Sequence, residues 1–374
     1  MMQHFQFATK LTYKRKELGV TQEQLAQYVG VSKAAVSKWE KGQSYPDITL
    51  LPKLATYFNI TIDELLGYEP QMTKERARIV YAELTKKFSQ QNFHEVQQEI
   101  EALLTEYYAC YPFVLQMAQL YLNYYKLADN PTEILQRIDE LCQRIIGQCG
   151  DLKIVYEAEM LQAYVKLEQG QFEQVLEILG EEARMQYGAE HLIAIALAMR
   201  GDLEKAKETL QVSMYQHMLG TISSATNSLQ HEIINLSYFD ATIQRVEAMM
   251  QLFAVQKLNM NAGLIFYLQA ASGYVQQQRE QQAIEMLEKY CQICLNIKFP
   301  IELRGDSYFY LLDNWIAKNI HLGAQAPRDE QSIKRDLLAS ITKQPIFAGI
   351  VQHERLQKML SKVVKHLQIE EEIL

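Results

Sequence analysis

The sequence predicts an all-α protein, and three observations support this fold class. From Thr73 onward almost every segment repeats its apolar residues at a period of about 3.6, as an amphipathic helix does. The two-residue alternation typical of strands is absent there, and proline is sparse, with 8 occurrences in 374 residues. The segment GYEPQMT interrupts the pattern with Gly and Pro. We therefore expect two domains, residues 1–67 and 74–374, joined by a linker at 68–73.

Residues 21–42 (TQEQLAQYVGVSKAAVSKWEKG) predict two short helices joined by a tight turn. Thr21 can cap the first helix, with Gln24 three residues later to complete a capping box. Gly30 stands at the turn, where a positive φ favours glycine. Ser32 can cap the second helix. At helical spacing, the inner faces would consist of Leu25, Ala26 and Val29 on the first helix and Val36 and Trp39 on the second.

The outward face of the second predicted helix is small, polar and positive. It consists of Lys33, Ala34, Ser37, Lys38 and Lys41, and it carries no carboxylate. A helix with this surface can enter the major groove of DNA, contact base edges and hold phosphates.

This arrangement resembles the helix-turn-helix of the XRE (Cro/repressor-like) family of DNA-binding domains. The spacing that carries the resemblance is that of Gln22, Ala26, Gly30, Val36 and Trp39. The resemblance extends over residues 5–67, because a basic helix at 11–18 (LTYKRKEL) precedes the motif and YPDITLLPKLATYFNITIDELLG at 45–67 matches the fourth and fifth helices. It implies a five-helix repressor-like domain.

The two later helices carry start and stop signals of their own. If Thr49 is the cap of the fourth helix, Pro52 falls in its first turn, where the missing N–H is tolerated. Thr61 and Glu64 can form a second capping box, and Gly67 can end the fifth helix.

The resemblance also implies which residues contact DNA. They are Gln22, Ser32, Lys33, Ala34, Ser37, Lys38, Lys41, Gln43 and Ser44. In the family, the position of Gln22 holds a phosphate, those of Lys33, Ala34, Ser37 and Lys38 face base edges, and those of Lys41, Gln43 and Ser44 follow the backbone. Arg15 and Glu40 match an internal ion pair, and Trp39 matches a buried position. Because Ala34 is shorter than the polar residues common at its position, a thymine methyl is the contact expected there.

The charge distribution agrees with DNA binding at the amino terminus. Residues 1–66 contain 8 basic and 6 acidic side chains, a net charge of +2, whereas the other 308 residues carry a net charge of −10. DNA affinity depends strongly on neutralising phosphates, so the amino-terminal region is the part of the chain suited to it. The acidic remainder is expected to turn away from DNA.

Helical segments of the second domain repeat. AYVKLEQGQFEQVLEIL (163–179) and AIALAMRGDLEKAKETL (194–210) align at an offset of 31 residues. In each, a small residue is followed seven positions later by glycine, as in Ala163 and Gly170 and in Ala194 and Gly201. A third segment, ASGYVQQQREQQAIEML (271–287), has Gln278 in place of the glycine.

The repeat resembles the tetratricopeptide (TPR) repeat, in which antiparallel helix pairs stack into a superhelix. We expect six or seven helical hairpins between residues 73 and 345, which form a TPR-like α-solenoid. The last helix, at about 350–372, would cap the array or pair with another subunit. An irregular helical bundle of similar composition is the alternative.

An XRE-type domain followed by a TPR-like array is the layout of the RRNPP group (Rgg, PlcR and PrgX relatives). Members of this group are Gram-positive regulators that bind short peptide pheromones in the concave groove of the array. This resemblance implies polar groove residues that bind an effector, with ordinary surface or packing roles as the alternative. The candidates are Asn123, Tyr124, Asn227, Asn235, Asn261, Tyr267 and Tyr274.

Several classes of function lack support in the sequence. It contains no phosphate-binding glycine loop, no HExxH and no GxSxG, and its eight histidines are scattered, so we expect no catalytic residues, no cofactor and no metal. The five cysteines lie on helical apolar stripes, including Cys291 and Cys294, and we expect them to be reduced thiols of a cytoplasmic protein. We identify neither a signal peptide nor a membrane span, since the apolar run at 192–199 is too short.

Together these patterns predict a homodimeric transcription regulator that binds double-stranded DNA in a sequence-specific way. Two recognition helices, each at 32–41, would contact an inverted-repeat operator, and an effector would act on the repeat domain. One alternative is a DNA-tethered scaffold whose repeats dock a protein partner. Another is a structural DNA-binding protein without sequence preference.

Overall fold

The computed structural model describes residues 6–68, 71–183, 185 and 187–369. These residues form twenty α-helices and no β-strand, with one isolated bridge between Glu302 and Gln325. The predicted all-α fold class is therefore confirmed.

Five helices form the amino-terminal domain around one small core. They are α1 (Phe7–Glu17), α2 (Gln22–Val29), α3 (Lys33–Glu40), α4 (Leu51–Phe58) and α5 (Ile62–Leu66). Helix α1 packs against both α3 and α5, and α2 packs against α3. The first helix begins four residues earlier than predicted, because Phe7 is fully buried in this core.

The helix ends of this domain follow most of the predicted signals. Thr21 and Gln24 form the capping box, and Gly30 has a φ of 87°. Thr61 accepts the N–H of Glu64 at 3.1 Å and Gly67 ends α5, but the predicted second capping box is only half formed.

The prediction that Thr49 caps the fourth helix is wrong. Asp47 instead accepts the backbone N–H of Thr49 at 2.9 Å and begins a 3₁₀ turn, Ile48–Leu50, that leads into α4. Pro52 still lies in the first turn of α4, where no N–H is needed.

The rest of the chain consists of packed helices. Those up to residue 180 are α6 (Lys74–Phe88), α7 (Phe93–Glu106), α8 (Tyr111–Tyr124), α9 (Pro131–Gln148), α10 (Leu152–Glu168) and α11 (Phe172–Leu179). Those that follow are α12 (Ala189–Met199), α13 (Leu203–His231), α14 (Leu236–Leu252), α15 (Val255–Leu258), α16 (Met260–Gln276), α17 (Glu280–Asn296), α18 (Leu312–Asn319), α19 (Glu330–Thr342) and α20 (Glu354–Leu367).

The chain divides into two compact units. The first unit contains residues 1–84 and 91–180, and the second unit contains residues 85–90 and 181–374. In the first unit α8, α9, α10 and α11 pack in succession. In the second unit α12 packs on α13, α16 packs on α17, and the long α13 also contacts α14, α16 and α18. The helix pairs predicted from the repeat are thus present, while α13, at 29 residues, departs from a regular array.

The three repeated segments make the same turn between their helices. In α10–α11 the N–H groups of Gly170 and Gln171 reach back to the carbonyls of Leu167 and Lys166, which is the Schellman pattern that ends a helix with a left-handed residue. The α12–α13 turn at Gly201 and the α16–α17 turn at Gln278 repeat these bonds. The φ values of the three central residues are 72°, 92° and 59°.

The carboxyl-terminal helix differs from its predicted bounds of 350–372. It begins at Glu354, because the His353 side chain caps it by accepting the N–H of Arg355. It ends at Leu367, where Gln368 takes a left-handed conformation. The predicted helical residues 370–372 lie outside the described residues. Within the second unit, α20 packs on α17 and α19.

The turn at Gln278 generates a stability prediction. A side chain at a φ of 59° is strained where glycine is not. Gln278→Gly should therefore raise the free energy of unfolding by about 0.5–1 kcal/mol, the relief of strain exceeding the added entropy of the unfolded chain. Urea denaturation followed by circular dichroism measures the change.

Gln278→Ala is the matched control, because alanine removes the same exposed side chain but keeps the Cβ atom. It should leave the stability unchanged or slightly lower. Equal stabilities of the glycine and alanine variants would contradict backbone strain at this position.

Candidate nucleic-acid interface

Helix α3 is held by a close crossing with α2. Ala26 is 3% exposed at this crossing, and Val36 and Trp39 of α3 are buried in the domain core. Gly30 allows the sharp turn, and the N–H of Val31 donates to the carbonyl of Ala26 at 2.9 Å. This packing against α2 and the domain core fixes which face of α3 points outward.

That outward face is the one predicted to contact DNA. Five of its residues are exposed, namely Lys33, Ala34, Lys38, Lys41 and Gln43, while Ser37 and Ser44 are partly buried. Ser32 is exposed and accepts the N–H of Ala35, so it also caps α3. The structure thus brings seven of the nine predicted residues onto α3 and the loop that follows it, with Ser32 at the N-cap of α3.

The ninth residue, Gln22, lies at the first position of α2 and has an additional partner. Its Nε2 atom donates to Glu40 at 2.7 Å. Glu40 also accepts two hydrogen bonds from Arg15, including one from Nη2 at 3.2 Å. The Nη1 atom of the Arg15 guanidinium donates to the carbonyl of Val20 at 2.7 Å. These bonds link α1, the α1–α2 loop, the start of α2 and the last residue of α3.

This network favours the charged form of the Glu40 carboxylate. Burial raises its pKa, but the hydrogen bonds from Arg15 and Gln22 and the nearby positive charges outweigh burial and hold the pKa below its ordinary value of 4.5. The Glu40 and Arg15 side chains are only 7% and 13% exposed, so water screens their attraction weakly.

Sequence reasoning missed one acidic neighbour of the recognition helix. The Glu23 carboxylate on α2 lies 3.6 Å from the Lys33 ammonium, with side chains 76% and 62% exposed. The sequence did contain a signal for this neighbour. Glu23 directly follows Gln22, which was predicted to contact DNA, so the start of α2 was expected to lie on the same side of the domain as the start of α3. Such an exposed pair stabilises the fold very little.

Two of the seven effector candidates lie in the first unit. Asn123 donates to the Tyr81 hydroxyl at 3.1 Å and to the carbonyl of Gln119 at 3.0 Å. Tyr124 is 1% exposed and belongs to the core, so its ring does not line an open groove.

The other five candidates lie in the second unit and do not form one group. Asn227 and Asn261 are exposed, and Asn235 caps α14 by accepting the N–H of Tyr238 at 3.3 Å. Tyr267 and Tyr274 are buried on α16.

The two buried tyrosines of α16 have partners inside the protein. The Tyr274 hydroxyl donates to Asp240 at 3.0 Å, and the Arg279 guanidinium lies over its ring. Tyr267 lines a small cleft with Glu247 and Lys289. Burial raises the pKa of both phenols.

The second unit also contains a larger open cleft of about 1100 Å³. Its lining includes Gly188, His217, Gly220, Ser224 and Tyr238, and none of the seven candidates. A Cβ atom built at Gly220 would meet nothing within 4 Å, so the floor of the cleft on α13 is open.

Cys142, Cys291 and Cys294 lie on buried helix faces as predicted, whereas Cys110 and Cys149 lie at the N-cap of α8 and the C-cap of α9. Cys110, Cys142, Cys291 and Cys294 are buried, and Cys149 is partly buried. Burial raises the pKa of Cys142 and of Cys291 to about 12, so both are neutral thiols.

The described residues hold no cluster of three or more His, Cys, Asp or Glu side chains that could bind a metal ion. Among the same residues, no helix combines the length and the apolar character that a membrane crossing requires.

The five-helix domain with its outward cationic helix defines a helix-turn-helix DNA-binding protein, and comparison with known proteins agrees. The helix-turn-helix family profile matches residues 11–65. The HTH-type transcriptional activator BcrR of Enterococcus faecalis is 44% identical over 68 residues, which cover 18% of this chain and 33% of that protein. The transcriptional repressor RstR of the cryptic phage CTXphi of Vibrio cholerae is 38% identical over 58 residues, which cover 16% and 52%.

A shorter relative is matched over nearly its whole length. An uncharacterised HTH-type transcriptional regulator of Methanocaldococcus jannaschii is 38% identical over 60 residues, which cover 16% of this chain and 91% of that protein. The chain therefore belongs to the helix-turn-helix family of DNA-binding transcriptional regulators, which is not a family of enzymes. It spans about a third of BcrR and about half of RstR.

The network around Glu40 generates a prediction on stability and pH. Glu40→Gln should destabilise the amino-terminal domain by roughly 2 kcal/mol at pH 7, because Arg15 would lose its charged partner. Since the folded-state pKa of Glu40 lies below its ordinary value, the contribution is present above about pH 4.5 and is lost as the pH falls. The difference between wild type and variant should shrink accordingly.

Trp39 provides a local readout of this effect. The chain has two tryptophans, so in a Trp315→Phe background the fluorescence of Trp39 reports the unfolding of the amino-terminal domain. Glu23→Gln is the control and should change stability by less than about 0.5 kcal/mol, because its pair with Lys33 is exposed. A pH-independent effect of Glu40→Gln would contradict the assigned role of the carboxylate.

Proposed function

We propose that this protein is a homodimeric, sequence-specific transcription regulator of the cytoplasm whose activity an effector modulates. The observation that supports it is the outward cationic face of α3, held in place by the buried bonds of Glu40. Lys33, Ala34, Ser37 and Lys38 would face base edges in the major groove. Phosphates would be held by Lys41, Gln43 and Ser44, and by the second N–H of the Gln22 side-chain amide, the first of which donates to Glu40.

A dimer would present two such helices to one side of the duplex. Two half-sites about one helical turn apart, roughly 34 Å, would then form an inverted repeat. The acidic remainder of the chain adds a net charge of −10 that disfavours non-specific contact with DNA.

The effector site that we propose lies in the helical repeat region beyond residue 73, for which a TPR-like arrangement remains our interpretation. The cleft on α13 is large enough for a short peptide and lies in the second unit. Small and hydroxylated side chains on its floor, such as Gly220, Ser224 and Ser228, would let a peptide backbone approach closely. Effector binding would change the spacing or mobility of the two DNA-binding domains.

Base readout by Lys38 predicts a loss that depends on sequence. Lys38→Ala should weaken operator binding by about 1–3 kcal/mol and relax specificity, whereas Gln22→Ala should weaken binding to all sequences alike. The operator is obtained by selecting bound sites from a random DNA pool, and fluorescence anisotropy at fixed salt then compares operator with random duplex.

Lys362→Ala is the matched control, because Lys362 is an exposed lysine of α20 outside the DNA-binding domain. It should bind both duplexes as the wild type does. Equal losses on operator and random DNA for Lys38→Ala would contradict base readout, and a selection without enriched sequences would favour the structural DNA-binding alternative.

The cleft on α13 yields a second test. Gly220→Leu should abolish the thermal shift caused by a peptide, because its Cβ meets no atom within 4 Å and the rest of the side chain occupies the cleft. Gly147→Leu is the control, since Gly147 is a helical glycine with the same open surroundings on α9. Mass spectrometry of co-purified ligands supplies the candidate peptides.

The scaffold alternative predicts a different result in the same experiment. A folded protein partner would co-purify in place of a peptide, and no short peptide would change the melting temperature. Retained peptide binding by Gly220→Leu would place the effector site elsewhere in the chain.

A further inference from the structure

One exposed carboxylate stands among the lysines of the surface predicted to contact DNA. The exposed charged side chains of residues 22–44 are Glu23, Lys33, Lys38 and Lys41. Their net charge is +2, and it would be +3 without Glu23. Binding to DNA of any sequence depends on neutralising phosphates with lysine and arginine. An acidic side chain at this place therefore works against general affinity for DNA.

Glu23 contacts one of the three lysines. Its carboxylate lies 3.6 Å from the Lys33 ammonium, whereas Lys38 and Lys41 form no ion pair with any described residue. Glu23 is the second residue of α2 and Lys33 is the first residue of α3, so the pair bridges the amino-terminal ends of the two helices. Each of these ends has a side-chain cap, which fixes the backbone that carries the pair.

The stability of the fold does not explain Lys33 or its pair. A positive charge in the first turn of a helix opposes the helix dipole, and Lys33 occupies the first position of α3. The pair with Glu23 is largely exposed, so it contributes little to folding. A lysine that costs the helix something and gains little from its partner fits a role in binding.

The carboxylate changes what Lys33 can reach. A lysine ammonium has three N–H donors on a flexible stem. While one of them is directed at Glu23, the other two remain for acceptors on a base edge, such as O6 and N7 of guanine. To contact a phosphate on the other side of its reach, Lys33 would have to leave the carboxylate.

We propose that Glu23 is a positioning residue that sets specificity, since it holds Lys33 toward the base edge and competes with phosphates for its ammonium. Removing this competition would favour unselected DNA over the operator, because unselected DNA offers Lys33 phosphates but no matching base. The inference rests on the proposed function, in which Lys33 faces base edges.

DNA binding by Glu23→Gln tests this inference. Glutamine has the same length, so the variant removes the charge and little else. At about 0.1 M salt the affinity for random duplex should rise about fivefold, while the affinity for the selected operator should change less than about twofold. On random duplex, the slope of log affinity against log salt should steepen by about 0.9, the value for one further phosphate contact.

Glu64→Gln is the matched control. Like Glu23, Glu64 lies in the first turn of its helix and 3.6 Å from a lysine ammonium, that of Lys14. It is outside residues 22–44, and its variant changes the net charge by the same amount. Both duplexes should bind this variant as they bind the wild type. A gain on random duplex equal to that of Glu23→Gln would assign the effect to net charge and overturn the inference.

A Lys33→Ala background shows whether Glu23 acts through Lys33. There, Glu23→Gln should leave the ratio of operator to random affinity unchanged, because the side chain that it positions is gone. The same fall in this ratio with and without Lys33 would overturn the positioning role. Circular dichroism melting should give Glu23→Gln the midpoint of the wild type, because the pair is exposed.

The same measurements separate this inference from the proposed function. Equal gains of Glu23→Gln on operator and random duplex, or no gain on either, would overturn the inference and leave the proposed function standing. A loss on the operator alone would show that the carboxylate itself contacts a base, which also overturns the inference alone. A wild type that enriches no sequence from a random pool would overturn the proposed function, and this inference with it.

Discussion

The orientation of the recognition helix depends on the bonds that converge on Glu40. An eight-residue helix such as α3 is marginal by itself, so its direction must come from its neighbours. Glu40 provides it by accepting hydrogen bonds from Arg15 on α1 and from Gln22 on α2. One carboxylate therefore connects the helix proposed to contact bases with the residue proposed to hold a phosphate.

The same domain combines a small net charge with a local concentration of cations. Its net charge is only +2, yet α3 and its following loop collect three exposed lysines on one surface. Glu23 lies beside Lys33 and lowers the local potential. Such a balance favours specific contacts over general attraction to the phosphate backbone.

The helical repeat region uses the same turn between helices at three places. Each hairpin turn needs one residue in the left-handed conformation, and Gly170, Gly201 and Gln278 occupy it with identical backbone bonds. The helices that these turns connect differ in length and in exposed surface. The 29-residue α13 forms the floor of the open cleft.

The sequence by itself determined the helices, the turn residues and the identity of the recognition helix, because capping, glycine turns and 3.6-residue periodicity are local properties. It also indicated the Arg15–Glu40 pair, through a family resemblance. Only the tertiary structure decided that Gln22 shares Glu40 and that Tyr124 and Tyr274 are buried. Those facts depend on which helices pack together over long sequence separations, and the amphipathic pattern of a single helix does not encode its partner.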